Sequence, residues 1–168
     1  MKQNSHAARQ APEKRSATER HEEAITEEGS IDFEVIEGFF FAYRDFISDP
    51  DAILETIGFG RAHHRVVYFV SREPGMTVAD LLDTLRITKQ SLARVLKQLV
   101  DSGYIRQVTG PEDRRQRKLY ATRAGRELAL ALAEPQSRRI SRAFQDFTAD
   151  DKRAVMRFLA GMQNTRES

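Results

Sequence analysis

Residues 77–103, TVADLLDTLRITKQSLARVLKQLVDSG, decide the fold of this 168-residue chain. Thr77 and Thr88 each precede an apolar series with the i, i+3, i+4, i+7 spacing of a helix, and each can cap the first helical turn. The apolar positions are Val78, Leu81, Leu82 and Leu85 in the first series and Leu92, Val95, Leu96 and Leu99 in the second. Only Arg86 and Ile87 connect the two series, and Gly103 follows the second in the position where a left-handed residue commonly ends a helix. The segment therefore predicts a helix-turn-helix.

A β-hairpin is predicted directly after the second helix. Residues 104–109 (YIRQVT) and the returning segment KLYAT are enriched in β-branched and aromatic residues. The intervening GPEDRRQR contains the glycine and proline of a turn. A helix-turn-helix followed by a hairpin is a winged helix, with the hairpin (residues 104–122) as its wing. The expected fold class is mainly α with a small β-hairpin.

Further helices are predicted on both sides of this winged helix, which spans residues 61–122. Residues 31–48 carry two adjacent apolar stripes, an arc wider than one neighbouring helix can cover. The stripes are Phe33, Ile36, Phe40, Tyr43 and Ile47, and Val35, Phe39, Ala42 and Phe46. They indicate a subunit interface or a pocket, or else a helix buried at the centre of the molecule. We expect residues 48–60 to form a loop with about one helical turn, and Pro135 to kink or interrupt a long helix that begins after Thr122. Thr148 with Asp151 predicts a last capped helix.

The domain organisation follows from composition. Residues 1–30 have few large apolar side chains and mixed charges, and are predicted to be a disordered tail. Residues 31–168 are predicted to form one domain. The chain has no cysteine, which excludes disulfides, thiolate catalysis and cysteine-ligated zinc. No apolar run approaches the roughly 18 residues of a membrane span and no secretory signal is visible, so we expect a cytoplasmic protein with no membrane partner.

Positive charge is concentrated in one part of the chain. Between Arg86 and Arg126 lie eleven Lys or Arg and three acidic residues, a formal charge of +8 in a chain whose total is +2. A basic segment that contains a winged helix indicates double-stranded DNA as the partner. The second helix of the helix-turn-helix (residues 88–101) is expected in the major groove, with Gln90, Ser91 and Arg94 on base edges and Thr88, Lys89 and Lys97 on phosphates. The wing is expected at the minor groove through Asp113, Arg114, Arg115, Arg117 and Lys118.

Two stretches of the sequence resemble the MarR family of bacterial transcriptional regulators, and the likeness extends over about residues 33–163. They are MTVADLLDTLRITKQSLARVLKQLVDSGYI and EDRRQRKLYATRAG. In the second, Asp113 and Arg115 match the family's Asp-x-Arg, and Thr122 and Gly125 match its Thr-x-x-Gly, although Ala121 replaces the usual leucine. The resemblance implies that Arg115 enters the minor groove and that Asp113 orients it.

The resemblance also implies an obligate homodimer, with residues 31–48 and 123–163 as the dimerisation helices. Its operator would be a palindrome with half-sites about 10 bp apart. Members usually repress, and many are released from DNA by a small molecule that binds between the dimerisation and DNA-binding regions. In this chain the candidate effector-pocket residues are Tyr43 and one of His63 and His64. The alternative for these histidines is a position at the start of a helix, bonded to backbone or water. The adjacent histidines point about 100° apart on a helix, so no metal site is expected.

Two other classes of function fit the sequence less well. A winged-helix module that binds proteins and not DNA is the alternative, and the basic segment argues against it. An enzyme is the third, but the sequence has no GxxxxGK[ST], HExxH or GxSxG motif. No catalytic residue and no cofactor are therefore expected.

Overall fold

A computed structural model describes residues 31–109 and 116–164. Within these ranges the chain forms six helices and one two-stranded sheet. In chain order they are α1 (Phe33–Glu55), α2 (Arg61–Arg72), α3 (Val78–Leu85), α4 (Lys89–Asp101), β1 (Ile105–Thr109), β2 (Arg117–Ala121), α5 (Arg123–Ala143) and α6 (Ala149–Gly161). The predicted tail, residues 1–30, lies outside the described ranges.

The predicted caps begin the two helices of the helix-turn-helix. Thr77 Oγ1 accepts from the Asp80 backbone N–H at 3.2 Å, and Asp80 Oδ2 accepts from the Thr77 N–H at 2.8 Å, which completes a capping box. These backbone and hydroxyl bonds from Thr77 hold the pKa of Asp80 below its ordinary value. Arg86 ends α3 with φ 49°, a left-handed conformation that is uncommon outside glycine. That residue turns the chain sharply enough for α4 to begin three residues later, so the predicted helix-turn-helix is confirmed.

The core lies where α2, α3 and α4 meet the sheet. Its fully or almost fully buried members come from all of these elements: Val66, Val67, Val70, Leu81, Leu92, Leu96, Leu99, Ile105 and Leu119. All eight apolar positions of the predicted helix-turn-helix are buried or pack against this cluster. One apolar cluster therefore fixes both helices and the root of the wing in a single arrangement.

The sheet is the predicted hairpin. β1 and β2 pair antiparallel, from Ile105 opposite Ala121 to Thr109 opposite Arg117. The loop before α3 adds to the outer edge of β2, because Gly75 donates its N–H to the Leu119 carbonyl at 2.8 Å and Leu119 donates to the Met76 carbonyl at 2.9 Å. The root of the wing is thus hydrogen-bonded on both sides of β2.

The prediction that residues 48–60 form a loop is wrong for its first half, because α1 continues to Glu55. Pro50 lies inside this helix and is buried. A proline there has no N–H for the carbonyl four residues earlier, that of Phe46. The side-chain amide of Gln136 on α5 donates to the Phe46 carbonyl at 3.3 Å instead. A bond from another helix thus replaces the missing one, and no local pattern in residues 48–60 could indicate it.

Of the two effects predicted for Pro135, a kink or an interruption, the interruption is absent, since α5 is one helix from Arg123 to Ala143. The carbonyl that loses its donor belongs to Ala131, and Ala131 is exposed. Water can therefore satisfy this carbonyl, and the helix continues through the proline.

The described residues divide into two units within α1, after Phe41. In the first unit, the apolar side chains of α1 are exposed and include Ile36 at 55 % and Phe40 at 61 %. In the second unit, α6 has no buried residue and exposes Met156, Phe158 and Leu159, and Met162 directly after the helix is exposed as well. Of the described helices, none combines the length and apolar character needed to cross a membrane.

Candidate nucleic-acid interface

The outer face of α4 is polar because the large apolar residues of this helix face the core. Leu92, Val95, Leu96 and Leu99 are buried, so the helical period turns the intervening polar residues outward. The six residues of residues 88–101 that were predicted to contact DNA are all exposed: Thr88, Lys89, Gln90, Ser91, Arg94 and Lys97. This face is of the type that enters a major groove, with amide and guanidinium donors near the start of the helix.

Three of these six side chains also have structural partners. Thr88 Oγ1 accepts from the Ser91 N–H at 3.2 Å and donates to Ser91 Oγ at 2.8 Å. Ser91 Oγ is the acceptor in the second bond, so its own proton stays available to a ligand. Lys97 Nζ lies 2.5 Å from Asp101 Oδ2, an exposed pair one turn apart on the helix. Such pairs contribute little to stability, and two of the three ammonium donors of Lys97 remain for a phosphate.

The wing contributes charge from β2. Arg117 is exposed and Lys118 is half-buried beside Thr77. On β1, the guanidinium of Arg106 lies 4.5 Å from the ring centroid of Tyr120, a cation–π contact that stiffens the hairpin. Asp113, Arg114 and Arg115, the predicted tip of the wing, lie outside the described residues.

The Thr-x-x-Gly match has a structural explanation at the root of the wing. Thr122 Oγ1 donates to the Gly103 carbonyl at 2.7 Å and accepts from the Gly125 N–H at 3.1 Å, so one hydroxyl joins the end of α4 to the start of α5. A Cβ on Gly125 would lie 2.0 Å from the Tyr104 carbonyl oxygen. Glycine is therefore required for this close approach, independently of any contact with DNA.

The structure separates the two candidate histidines, one of which was predicted to join Tyr43 in an effector pocket. His63 is buried between α2 and α4, where its ring stacks on Phe59 with centroids 4.4 Å apart. Its Nε2 lies 2.8 Å from Gln98 Oε1 on α4. His64 points away from this contact, as the 100° separation of adjacent helical residues requires. His63 therefore belongs to the packing of α4 and does not line the cavity that contains Tyr43.

Tyr43 and His64 do line one cavity of about 310 Å³, between α1, α2 and α5. Its wall combines aromatic rings with positive charge, and the residues beside Tyr43 and His64 are Phe46, Ile47, Asp51, Arg61, Arg65, Tyr68, Phe69 and Gln136. Burial lowers the pKa of His64, the nearby Arg65 lowers it further, and the Asp51 carboxylate opposes both effects. Asp51 is paired with Arg61 at 2.8 Å, so Arg65 is the cation with the least local compensation in this wall.

The described part of the chain holds no group of three or more His, Asp or Glu side chains that could bind a metal ion. The polar partners of this region that local patterns did not indicate are Gln98, Gln136, Asp51 and Arg61. Each acts across two helices, and helical spacing within one segment carries no signal for such a pairing.

Comparison with known proteins agrees with this geometry. The profile of the MarR family matches residues 57–116, which run from the α1–α2 loop into the hairpin. The HTH-type transcriptional regulator PetP of Rhodobacter capsulatus is 47% identical over 110 residues, which cover 66% of this chain and 66% of that protein. Matching residues thus span about two thirds of each chain.

Solved structures share the fold. A MarR transcriptional regulator from Methanosarcina mazei superposes with a TM-score of 0.62 at 25% identity, over 76% of this chain and 92% of the other. A MarR family regulator from Listeria monocytogenes, solved with a 26-mer DNA, gives a TM-score of 0.65 at 16% identity over 75% and 84% of the two chains. The family consists of transcription regulators and not of enzymes. From the match in sequence, the shared winged helix and the Thr122–Gly125 root, this chain belongs to the MarR family of transcriptional regulators.

Proposed function

We propose that this protein is a homodimeric, sequence-specific DNA-binding regulator that represses transcription in the cytoplasm from a palindromic operator. The observation that carries the proposal is the exposed polar face of α4, which lies in the segment of formal charge +8. Charge of this density lowers the free energy of binding to a polyanion through counterion release. The DNA complex of the structurally similar Listeria regulator supports the same use of the fold.

The proposed contacts divide by chemistry. Gln90 and Arg94 carry the donor and acceptor patterns that suit adenine and guanine edges, and Ser91 adds a free hydroxyl proton. Thr88, Lys89 and Lys97 are assigned to phosphates, which position the helix on the duplex. In the wing, Arg115 is assigned to the minor groove with Asp113 as its orienting partner, and Arg114, Arg117 and Lys118 to the backbone.

The exposed apolar side chains of α1 and α6 support the homodimer. Single exposed apolar residues are ordinary, but contiguous groups of large ones mark interaction surfaces. Ile36, Phe39 and Phe40 form one such group on α1, and Met156 and Phe158 belong to another on α6. A second copy of the chain would cover both groups and would place two α4 helices on successive major grooves.

The cavity of about 310 Å³ supports release by a small molecule. Its volume suits a small ligand, the rings of Tyr43 and Tyr68 suit a planar one, and Arg65 suits an anion. A ligand that binds a DNA-incompetent arrangement more tightly would lower operator affinity by its differential affinity alone.

The test is selection of binding sites from a randomised duplex pool, repeated at two salt concentrations. We expect a palindrome with half-sites about one helical turn apart.

Arg94→Ala and Arg115→Ala should each weaken operator binding by about 1–3 kcal/mol without changing the oligomeric state, and Arg94→Ala should relax the preference at one base pair. Lys97→Ala should weaken binding to all sequences alike and reduce the salt slope by about one.

Arg72→Ala is the matched control, because Arg72 is an exposed arginine at the end of α2, outside the proposed dimerisation helices and the proposed DNA contacts. It removes the same charge from another surface and should leave operator affinity unchanged. Retention of no duplex at either salt would contradict the proposal and favour the protein-binding module. A reporter gene under the selected operator then distinguishes repression from activation.

A further inference from the structure

Among the hydrogen bonds of the described residues, only the one between His63 and Gln98 joins a side chain of α2 to a side chain of α4. The imidazole of His63 is buried and stacked on Phe59 at an interplanar angle of 2°. Both ring nitrogens have partners: Nδ1 faces the Gly60 backbone N–H at 3.1 Å and Nε2 faces Gln98 Oε1 at 2.8 Å. The ring therefore has no freedom to turn without losing two hydrogen bonds.

The direction of each bond follows from the donors. A backbone N–H can only donate, so Nδ1 of His63 must be the acceptor and carries no proton. The proton of the neutral ring is then on Nε2, which donates to Gln98 Oε1. The carboxamide of Gln98 is fixed with its oxygen toward the protein, and both of its N–H donors are left for another partner.

Those donors border a cleft of about 380 Å³ between the start of α2 and the flank of α4. The described residues that line it include Arg61 and Arg94 and no acid, although Arg61 is paired with Asp51 outside the cleft wall. Gln98 itself is exposed. The Gln98 oxygen is turned toward His63, so the side of the amide that borders the cleft presents N–H donors. It can serve a group that only accepts, such as a phosphate oxygen.

We propose that this cleft binds one backbone phosphate of the operator in each half-site, with Gln98 as the donor and His63 as the positioning residue that orients the Gln98 amide. This inference rests on the proposed DNA binding and adds a contact that the polar face of α4 alone does not reveal. It also gives Gln98 and Gln90 opposite roles on one helix, since the Gln90 amide is free to present both donor and acceptor.

The experiment uses the full chain and its selected operator, synthesised with single methylphosphonate linkages that remove one phosphate charge at a time. With the unchanged protein, a methylphosphonate at one position per half-site, the phosphate that faces Gln98, should weaken binding about tenfold. In Gln98→Ala the unmodified operator should bind about tenfold more weakly, and that same linkage should cost about twofold or less. Gln98→Glu keeps an oxygen for His63 but repels the phosphate, so its loss should exceed that of Gln98→Ala.

His63→Phe tests the positioning role, since phenylalanine keeps the ring and loses both hydrogen bonds. In His63→Phe, the methylphosphonate at that position should weaken binding less than it does in the unchanged protein. The double variant His63→Phe with Gln98→Ala should bind the operator no more weakly than Gln98→Ala alone. A purely structural role of His63 would lower thermal stability and leave the linkage pattern intact. Gln90→Ala is the control: it should alter base preference and keep the penalty.

Two results separate the possible failures. If the unchanged protein binds an operator but Gln98→Ala retains the full penalty at every linkage, the phosphate contact is overturned and the proposed function stands. If the unchanged protein binds no duplex, the proposed function fails and this inference with it.

Discussion

Gly125 lies where any side chain would collide with the backbone of the preceding turn. A Cβ there would approach the Tyr104 carbonyl oxygen to 2.0 Å and its carbon to 3.0 Å, and backbone cannot rotate away as a side chain can. The same few residues carry the Thr122 hydroxyl bonds to the Gly103 carbonyl and the Gly125 N–H. At the scale of the residue, the absence of a Cβ at Gly125 therefore allows the start of α5 to lie directly against the turn that leads into the wing.

Gly125→Ala should destabilise the protein by about 1–3 kcal/mol, the usual cost of forcing extra volume into a packed site. The measurement is urea unfolding followed by circular dichroism. Ala124→Ser is the control, because Ala124 is the exposed neighbour and an added hydroxyl there should change stability by less than about 0.5 kcal/mol. Equal stability of Gly125→Ala and the unchanged protein would show that the turn can open to admit a Cβ.

At the scale of the element, α1 continues through a proline because another helix supplies the missing donor. The Phe46 carbonyl would accept from residue 50 in a regular helix, and it accepts from Gln136 Nε2 at 3.3 Å instead. Pro50 and Leu54 beyond it are fully or almost fully buried, which holds the last turns of α1 against the rest of the unit. The continuity of α1 is thus a property of two helices and not of its own sequence.

A double-mutant cycle tests this dependence. Gln136→Leu should cost about 1–2 kcal/mol, because it leaves the Phe46 carbonyl without its donor. Pro50→Ala restores a backbone N–H at position 50, so Gln136→Leu should cost clearly less in that background. Unfolding free energies of the four proteins give the coupling directly. Equal costs of Gln136→Leu in both backgrounds would mean that the amide contributes nothing through the Phe46 carbonyl.

At the scale of the whole molecule, the proposed homodimer would cover apolar side chains that the single chain leaves exposed. Phe158 on α6 is 48 % exposed and Met156 is 57 % exposed. In a symmetric dimer each mutation is present twice, so a charge at such a position is introduced on both sides of the interface.

Phe158→Asp should therefore shift the protein from dimer to monomer in sedimentation or light scattering. It should also weaken operator binding by more than tenfold, since the two half-sites would no longer be bound by one linked molecule. Ile57→Asp is the control, an exposed apolar residue outside the proposed dimerisation helices. A dimeric Phe158→Asp with unchanged affinity would remove α6 from the interface.

What the sequence predicts depends on the range of the interactions involved. The threonine caps, the apolar faces of α3 and α4 and the hairpin are local, and all were predictable from residues within one turn or one strand pair. The continuity of α1 through Pro50 was not predictable, since its cause is 86 positions away at Gln136. The candidate site shows the same contrast. The exposed face of α4 follows from the helical period and was predictable. The position of His63 outside the Tyr43 cavity depends on contacts with Phe59 and Gln98, which lie in other segments.

The Gly125 contact also constrains how this protein can diverge. Every missense change at position 125 adds a Cβ, so we expect substitutions there to be selected against whatever operator the protein recognises. Gln90 and Arg94 are exposed and have no part in the core, so codons 90 and 94 can change without loss of the scaffold. A gene duplicate could acquire a new regulon by drift on the outer face of α4 while its glycine at the wing root stayed unchanged.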